Sequence, residues 1–230
     1  MKLSYTQAPN HNWIKDIQLH NIKEKGDESQ TGEGRALKFI FDTIGTSSKT
    51  CVEFGAMDGY IHSNTLFLES NEGWKRILFD IAPTNERVIK ANITAEHVND
   101  EFLISNVPFD VDLVSIDING NDYWVWKALK YKPAVVLIEY NQYLGYILPT
   151  TIKYNPDHIF DNTTYFGASL PALVKLGKKK GYKLAHCNRL NAFFILEERI
   201  PNSPEIKVDE LINKRSGWPL DRSGRLWITV

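Results

Sequence analysis

The sequence predicts an α/β fold: a mostly parallel sheet with helices on both faces and an antiparallel hairpin at its edge. Three observations carry this reading. Short apolar runs alternate with segments of helical spacing. Those runs are apolar along their whole length, as strands covered on both faces must be. The last two runs are separated by only a short turn, which makes them an antiparallel pair.

Taken in order, residues 1–34 are polar, with the charged cluster Lys23–Ser29 and no sustained period. They read as an N-terminal arm, in which Trp13, Ile14, Ile17 and Leu19 are able to dock as a short helix. Residues 35–200 form the main domain. It opens with Leu37, Ile40, Phe41 and Ile44 at helical spacing, stopped by Gly45. Strands follow at Thr50–Phe54 and Arg76–Asp80, with a crossing helix expected over Asn85–Ile89 and a short third strand over Val88–Ile93. Thr94–His97 suits a helix start. Leu113–Asp117 is a fourth strand, Tyr123–Leu129 an aromatic helix, and Ala134–Glu139 a fifth strand. Residues 141–166 are irregular and longer than an ordinary connection, as segments that cover a site are. A helix over Ala168–Lys180 ends at Gly181, and the hairpin Tyr182–Cys187 with Asn191–Leu196 completes the sheet. Residues 201–230, rich in Pro and Gly, read as a tail lying on the body.

Composition removes several functions. The 27 Lys and Arg balance 28 Asp and Glu, a net charge of -1, so nothing draws the chain as a whole to nucleic acid or anionic membranes. The basic run Lys175–Lys180 is the solvated end of a helix. Two cysteines, Cys51 and Cys187, both in apolar runs, make neither a disulfide framework nor a four-cysteine zinc site. The amino terminus has no apolar core of signal-peptide length, and nowhere do about 18 apolar residues run together. The expectation is a cytoplasmic protein without a membrane segment, and a homo-oligomer is compatible with everything in the sequence.

The chemistry gathers at the ends of strands. The first closes in Val52–Gly59, a carboxylate followed by a glycine turn that lets a ligand approach the backbone. It is not GxGxxG, and GxxxxGK[ST] is absent, so dinucleotides and nucleoside triphosphates lose ground. An acidic turn repels phosphate and attracts ammonium. Asp80 closes the second strand 27 residues after Glu53, where a carboxylate accepts from both ribose hydroxyls; otherwise it is a turn residue before Pro83.

These residues carry a resemblance. Gly55–Gly59 with Ser63–Glu69, then Asp112–Trp124, then Gly167–Leu170 is similar to the FkbM-like branch of class I S-adenosylmethionine-dependent methyltransferases, over about residues 32–196. The run Ser115–Trp124 is its specific part. The resemblance implies a Rossmann-like, doubly wound, mostly parallel seven-stranded sheet with an antiparallel terminal hairpin. It implies that Glu53, Gly55 and Gly59 hold the methionine part of S-adenosyl-L-methionine and Asp80 the ribose, that Ala56, Ser63, Asn64 and Ile81 also contact the cofactor, and that Asp117 contacts it near the transferring methyl. The segment Gln30–Glu33 would fold over the cofactor. Met57 departs from the pattern where a glycine is usual, and Asn119 where a second aspartate is expected.

Asp117 and Glu139 end strands that should be neighbours, and Asn141 lies just beyond. Two carboxylates and an amide oxygen suit Mg²⁺ or another divalent cation, which would lower the pKa of a substrate hydroxyl. The alternative is that Asp117 bonds the loop at Asn119–Asp122 and Glu139 caps a turn. His62, after the glycine turn, and His158, in the covering segment, are the candidate general bases beside Asp117 as catalytic residues; His11, His20, His97 and His186 read as surface or strand residues. Tyr154, Tyr165, Trp124 and Trp126 offer an aromatic wall for a sugar ring. The expected function is O-methylation of a small hydroxylated acceptor, by the resemblance a sugar or sugar nucleotide of polysaccharide or secondary-metabolite synthesis. Its rivals are a non-catalytic nucleoside- or partner-binding protein on the same sheet, an NAD-dependent oxidoreductase, and an RNA methyltransferase.

Overall fold

The computed structural model describes residues 13–203, 206, 208, 221 and 223–230. Its strands are β1 (Thr50–Phe54), β2 (Lys75–Asp80), β3 (Ile89–Lys90), β4 (Leu113–Ile116), β5 (Val135–Glu139), β6 (Thr150–Ile152), β7 (Tyr182–Cys187), β8 (Asn191–Leu196) and β9 (Trp227–Thr229). Its helices are α1 (Trp13–His20), α2 (Glu33–Ile44), α3 (Leu66–Glu72), α4 (Val98–Ile104), α5 (Asp122–Ala128) and α6 (Leu170–Lys180).

Seven strands form one sheet in the order β3-β2-β1-β4-β5-β8-β7. The pairs from β3 to β5 are parallel, and β8 runs antiparallel to both β5 and β7. The apolar runs predict this. Val52, Phe54, Val114, Ile116, Val136 and Ile138 face α4, α5 and α6, where Phe102 and Trp126 fill the layer. Cys51, Leu113, Val135 and Leu137 face the other way, onto α1, α2 and Leu68 of α3. The chain runs outward from β1 to β2 and β3, then returns across β1 to β4 and continues to β5. The carboxyl ends of β1 and β4 therefore flank the point where winding reverses, and a crevice opens there in sheets of this kind.

Several expectations need correction. Asn85–Ile89 is no helix: the Asn85 side chain accepts from Arg87 N–H and its carbonyl from Val88 N–H, turning the chain into a third strand of only two residues. The segment before β2 holds α3, which the sequence reading left unassigned. The long irregular segment contains a 3-10 turn at Gln142–Leu144 and β6, which pairs antiparallel with β9. The amino-terminal residues also contribute core, since Trp13, Ile14 and Ile17 are buried while Leu19 is exposed. Described residues of the carboxyl-terminal segment lie on the body, with Trp227 against Tyr165 at 4.9 Å and Val230 N–H donating to the Pro149 carbonyl. No helix among the described residues is long and apolar enough to cross a membrane.

Candidate active site

A cavity of about 330 Å³ opens at the carboxyl ends of β1, β2 and β4, within the size range of small-ligand sites. Gly55, Ala56, Met57, Asp80 and Ile81 line one part of it, Asp117, Asn119 and Asn121 another, and His62, Ser63 and Asn64 a third. Gln30 and the segment His158–Phe160 complete the wall.

Gly55 is where β1 turns. Its φ is +75°, and a Cβ there would lie 1.8 Å from the Asp117 carbonyl oxygen, so no side chain fits between the ends of β1 and β4. Met57 takes φ 51° and His62 φ 61°, left-handed conformations that explain why a glycine is usual at the first of them. Asn119, also left-handed at φ 50°, is a residue that tolerates this conformation. Met57, His62 and Asn119 thus bring left-handed backbone to the cavity, while Lys49, Asn106 and Asn162 take it elsewhere.

Asp80 is fixed by two backbone donors, Met57 N–H at 2.9 Å to Oδ2 and Ala82 N–H at 2.8 Å to Oδ1. Each oxygen keeps a further lone pair, and the carboxylate borders the cavity. Ile81, half exposed at 53%, and Ile93 give an apolar surface beside it.

Glu53 does something the sequence reading did not foresee. Its buried carboxylate accepts from Ser63 Oγ (2.8 Å), Asn64 N–H (2.8 Å) and Thr65 Oγ1 (2.5 Å), and pairs with Arg76 at 3.2 Å. Arg76 is wholly buried and also donates to the Gly59 carbonyl (2.9 Å), Ser63 Oγ (2.6 Å) and Thr65 Oγ1 (2.8 Å). Glu53 therefore ties the 59–65 loop to the sheet while itself lining the cavity. An Arg on β2 and a Glu on β1, 23 residues apart on one sheet face, were the signal available.

Asp117 and Glu139 do converge, in hydrogen-bond contact with each other. Burial, then the charges of Asp122, Glu53 and Glu33, push the Asp117 carboxyl up to about 7. Burial and the two aspartates raise Glu139 as well, and its Oε2 is buried without a partner. Two carboxyls in contact share one proton. Asn119 donates to Asp117 Oδ1 at 3.3 Å, the loop contact held open as the alternative to metal binding.

Asn141 does not join them. Its amide donates to the carbonyls of Thr164 (2.9 Å) and Phe166 (2.8 Å), and its oxygen accepts from Tyr143 N–H (3.0 Å). With all its groups turned to the covering segment, the expected three-ligand cation set does not assemble. Among the described residues no cluster of three or more His, Cys, Asp or Glu is arranged for a metal.

Of the histidines, His62 and His158 line the cavity, and His158 is set into its wall. Its ring sits in a notch left by Gly120, where a Cβ would come within 2.3 Å of Cδ2. Burial and the charge of Arg225 hold it below the ordinary histidine value, against the Asn119 backbone hydrogen bond and Asp161. Nε2 is buried without a partner. His62 borders the cavity from an exposed turn, its backbone bridged to Ser29. His186 is buried in β7 against Asn21, His20 stacks on Phe39, His97 is exposed, and His11 lies outside the described residues.

The aromatic wall is not there. Trp126 is fully buried against Phe194 at 4.8 Å, and Tyr165 packs on Trp227 with its hydroxyl donating to the Leu226 carbonyl. Trp124 donates to the Ile152 carbonyl and packs on Tyr154, whose hydroxyl contacts Glu96. None of the four lines the cavity.

Glu33, at the end of the segment expected to fold over the cofactor, accepts from Thr31 N–H, Thr31 Oγ1, Asn188 Nδ2 and Asn191 Nδ2. Those bonds hold its carboxyl below the usual range despite burial. They fasten the segment bearing Gln30 to the β7–β8 turn.

No family model matches the chain, and no curated protein matches it. Among solved structures the chain is similar to the N-terminal domain of EvdMO1, in the presence of SAH and D-fucose, with 11% identity and a TM-score of 0.39 over 80% of this chain and 94% of that one. The same domain with SAH bound gives 12% and 0.38, over 80% and 93%. The CMeT domain of the citrinin polyketide synthase gives 10% and 0.35, over 71% of this chain and 50% of that one. Likeness at this level says nothing of chemistry, and the fold stands on the strand order itself.

Proposed function

We propose that the chain is an S-adenosylmethionine-dependent methyltransferase acting on a hydroxyl of a small acceptor. The observation that carries this reading is Asp80: a carboxylate at the carboxyl end of β2, held by Met57 and Ala82 N–H groups, with free lone pairs at a cavity on the switch point. Those lone pairs suit two ribose hydroxyls. Ile81 and Ile93 suit the faces of an adenine, and Asp117, which lines the cavity with Glu139 behind it, suits a cation. The close approach at Gly55 leaves backbone exposed to a ligand.

When bound, the cofactor's sulfonium supplies a methyl that passes in line to the acceptor oxygen. The chain's own part is to position and to take a proton. Asp80 fixes the adenosine end. Asn64 and Gln30 border the opposite part of the cavity, where an amino-acid end would lie. His158 is neutral near pH 7, because burial keeps it below its ordinary value, and as a ring bordering the cavity it is the assigned acceptor of the hydroxyl proton. The raised Asp117–Glu139 pair holds the surroundings acidic without two full charges.

The acceptor is the finer part of the proposal. A carbohydrate follows from the resemblance, but the aromatic residues that would have supported stacking lie elsewhere. Instead the cavity carries exposed Met57 (51%), Ile61 (57%) and Ile159 (76%). These favour an acceptor with an apolar portion beside its hydroxyl. The test is transfer of labelled methyl from S-adenosylmethionine to hydroxylated acceptors graded in apolarity, such as methyl, butyl and octyl glycosides. Uptake by at least one, abolished in His158→Gln, is expected; uptake unchanged by His158→Gln overturns the assigned base.

A further inference from the structure

We propose that Asn121 is a positioning residue: its side-chain amide clamps the backbone of Asn155 and so seats His158 in the Gly120 notch, facing the cavity. This rests on the reading of His158 as the proton acceptor.

The loop after β4 is bound to the covering segment at several points, and Asn121 makes the first. Its Nδ2 donates to the Asn155 carbonyl at 2.7 Å, and its Oδ1 accepts from Asn155 N–H at 3.4 Å. The amide thus stands in for a strand neighbour, satisfying both polar groups of one residue. The same Asn155 carbonyl accepts from His158 N–H at 3.0 Å, and Asn155 Oδ1 accepts from Asp157 N–H at 3.1 Å. The turn that presents His158 is therefore built on the residue that Asn121 grips.

Two further features make the placement specific. Asp122, next in sequence, accepts from Ile118 N–H (2.9 Å) and Gly120 N–H (2.8 Å), which fixes the shape of the notch. Gly120 in turn accepts from Gly167 N–H at 3.0 Å, where the covering segment rejoins the body. Asn121 itself is buried at the cavity wall, whereas Asn155 is exposed. Without the clamp, Asn155–His158 would keep the 3.3 Å contact from Asn92 Nδ2 to the Pro156 carbonyl and the ring's hydrogen bond to the Asn119 backbone, but not the grip on Asn155 itself. The ring would then leave the notch for water.

The groups facing the ring are the Asn119 backbone, Arg225, Asp161 and the Tyr165 ring at 6.1 Å. Burial is the largest influence on its proton affinity, so the ring's titration reports whether it is seated. The experiment follows the imidazole of the full-length protein by NMR from pH 4 to 9, the signal assigned by its loss in His158→Gln. In the wild type the midpoint should lie below the ordinary value of about 6.5. Asn121→Ala should raise it towards that value. Asn121→Leu, which fills the space without the hydrogen bonds, should do the same and keeps the test alive if the alanine variant folds poorly. Asn99→Ala removes an asparagine of similar bonding on α4, bound to Ala128 and Lys130, and should leave the midpoint in place. An unchanged midpoint in a folded Asn121 variant overturns the proposal. No cofactor enters the measurement, so failure of S-adenosylhomocysteine to bind would refute the methyltransferase reading and leave this result standing.

Discussion

Arg76→Met is the substitution whose cost can be worked most directly from the site. Arg76 and Glu53 have side chains 0% and 4% exposed, and Met keeps the stem's apolar packing while removing the guanidinium. Glu53 would retain Ser63, Asn64 and Thr65 as donors, the Gly59 carbonyl would lose Arg76, and Glu69 would keep only Arg87 of its two arginine partners. Breaking a buried pair from one side costs about 3–5 kcal/mol, and the three remaining donors place this case near 3. At roughly 2–4 °C per kcal/mol for a chain of this size, the melting temperature should fall by about 6–12 °C. Removing the second charge should recover much of the loss: Glu53→Gln in the Arg76→Met background should restore about 1–2 kcal/mol, read as coupling in a double-mutant cycle. Urea melts of the four proteins measure this. A single-variant cost below about 1 kcal/mol, or strict additivity across the cycle, would refute the claim that the loop hangs on this pair.

Other outcomes follow from the same geometry. Gly55→Ala, with its Cβ forced to within 1.8 Å of the Asp117 carbonyl oxygen, should abolish folding or cost several kcal/mol, whereas Gly73→Ala, left-handed but in open space, should cost only about 1–2 kcal/mol in the same urea melts. Met57→Gly relieves a left-handed residue and should stabilise by up to about 1 kcal/mol; a loss in the thermal melt would contradict the strain argument. Asp117 binds its proton more tightly folded, at about 7, than unfolded, at about 3.8, so its contribution to stability is present below pH 4 and is lost as pH rises towards 7. Denaturant melts at pH 5 and 7.5 should therefore show a fall that Asp117→Asn reduces, and an unchanged slope in that variant would contradict the raised carboxyl.

Much of the fold is written in local pattern. β1, β4 and β5 are continuous apolar runs because both faces are covered, and the β7–β8 hairpin shows in the shortness of its turn. β3 was overread because two residues of pairing leave almost no periodic signal, and the turn at Asn85 resembles the start of a helix. The β6–β9 pairing joins residues more than 70 positions apart through three-residue strands, so nothing local announces it. At the site, Asp80 and the Gly55 turn were legible because their chemistry is fixed by backbone position. Asn121 and Asn141 were not, since an asparagine after a strand looks the same whether it faces a ligand or grips a neighbouring segment. Glu53 was half legible: its place at the cavity follows from the glycine turn beside it, but its pairing with Arg76 on the next strand has no local signal.

Isothermal titration of the full chain with S-adenosylhomocysteine, beside Asp80→Ala and with NAD as the rival ligand, tests the assignment of the cavity most directly. One molecule should bind the wild type with a Kd in the micromolar range or tighter, about −8 kcal/mol, and Asp80→Ala should weaken it at least about tenfold. Binding of NAD with no heat from S-adenosylhomocysteine, or an Asp80→Ala variant that binds S-adenosylhomocysteine as tightly as the wild type, would contradict it.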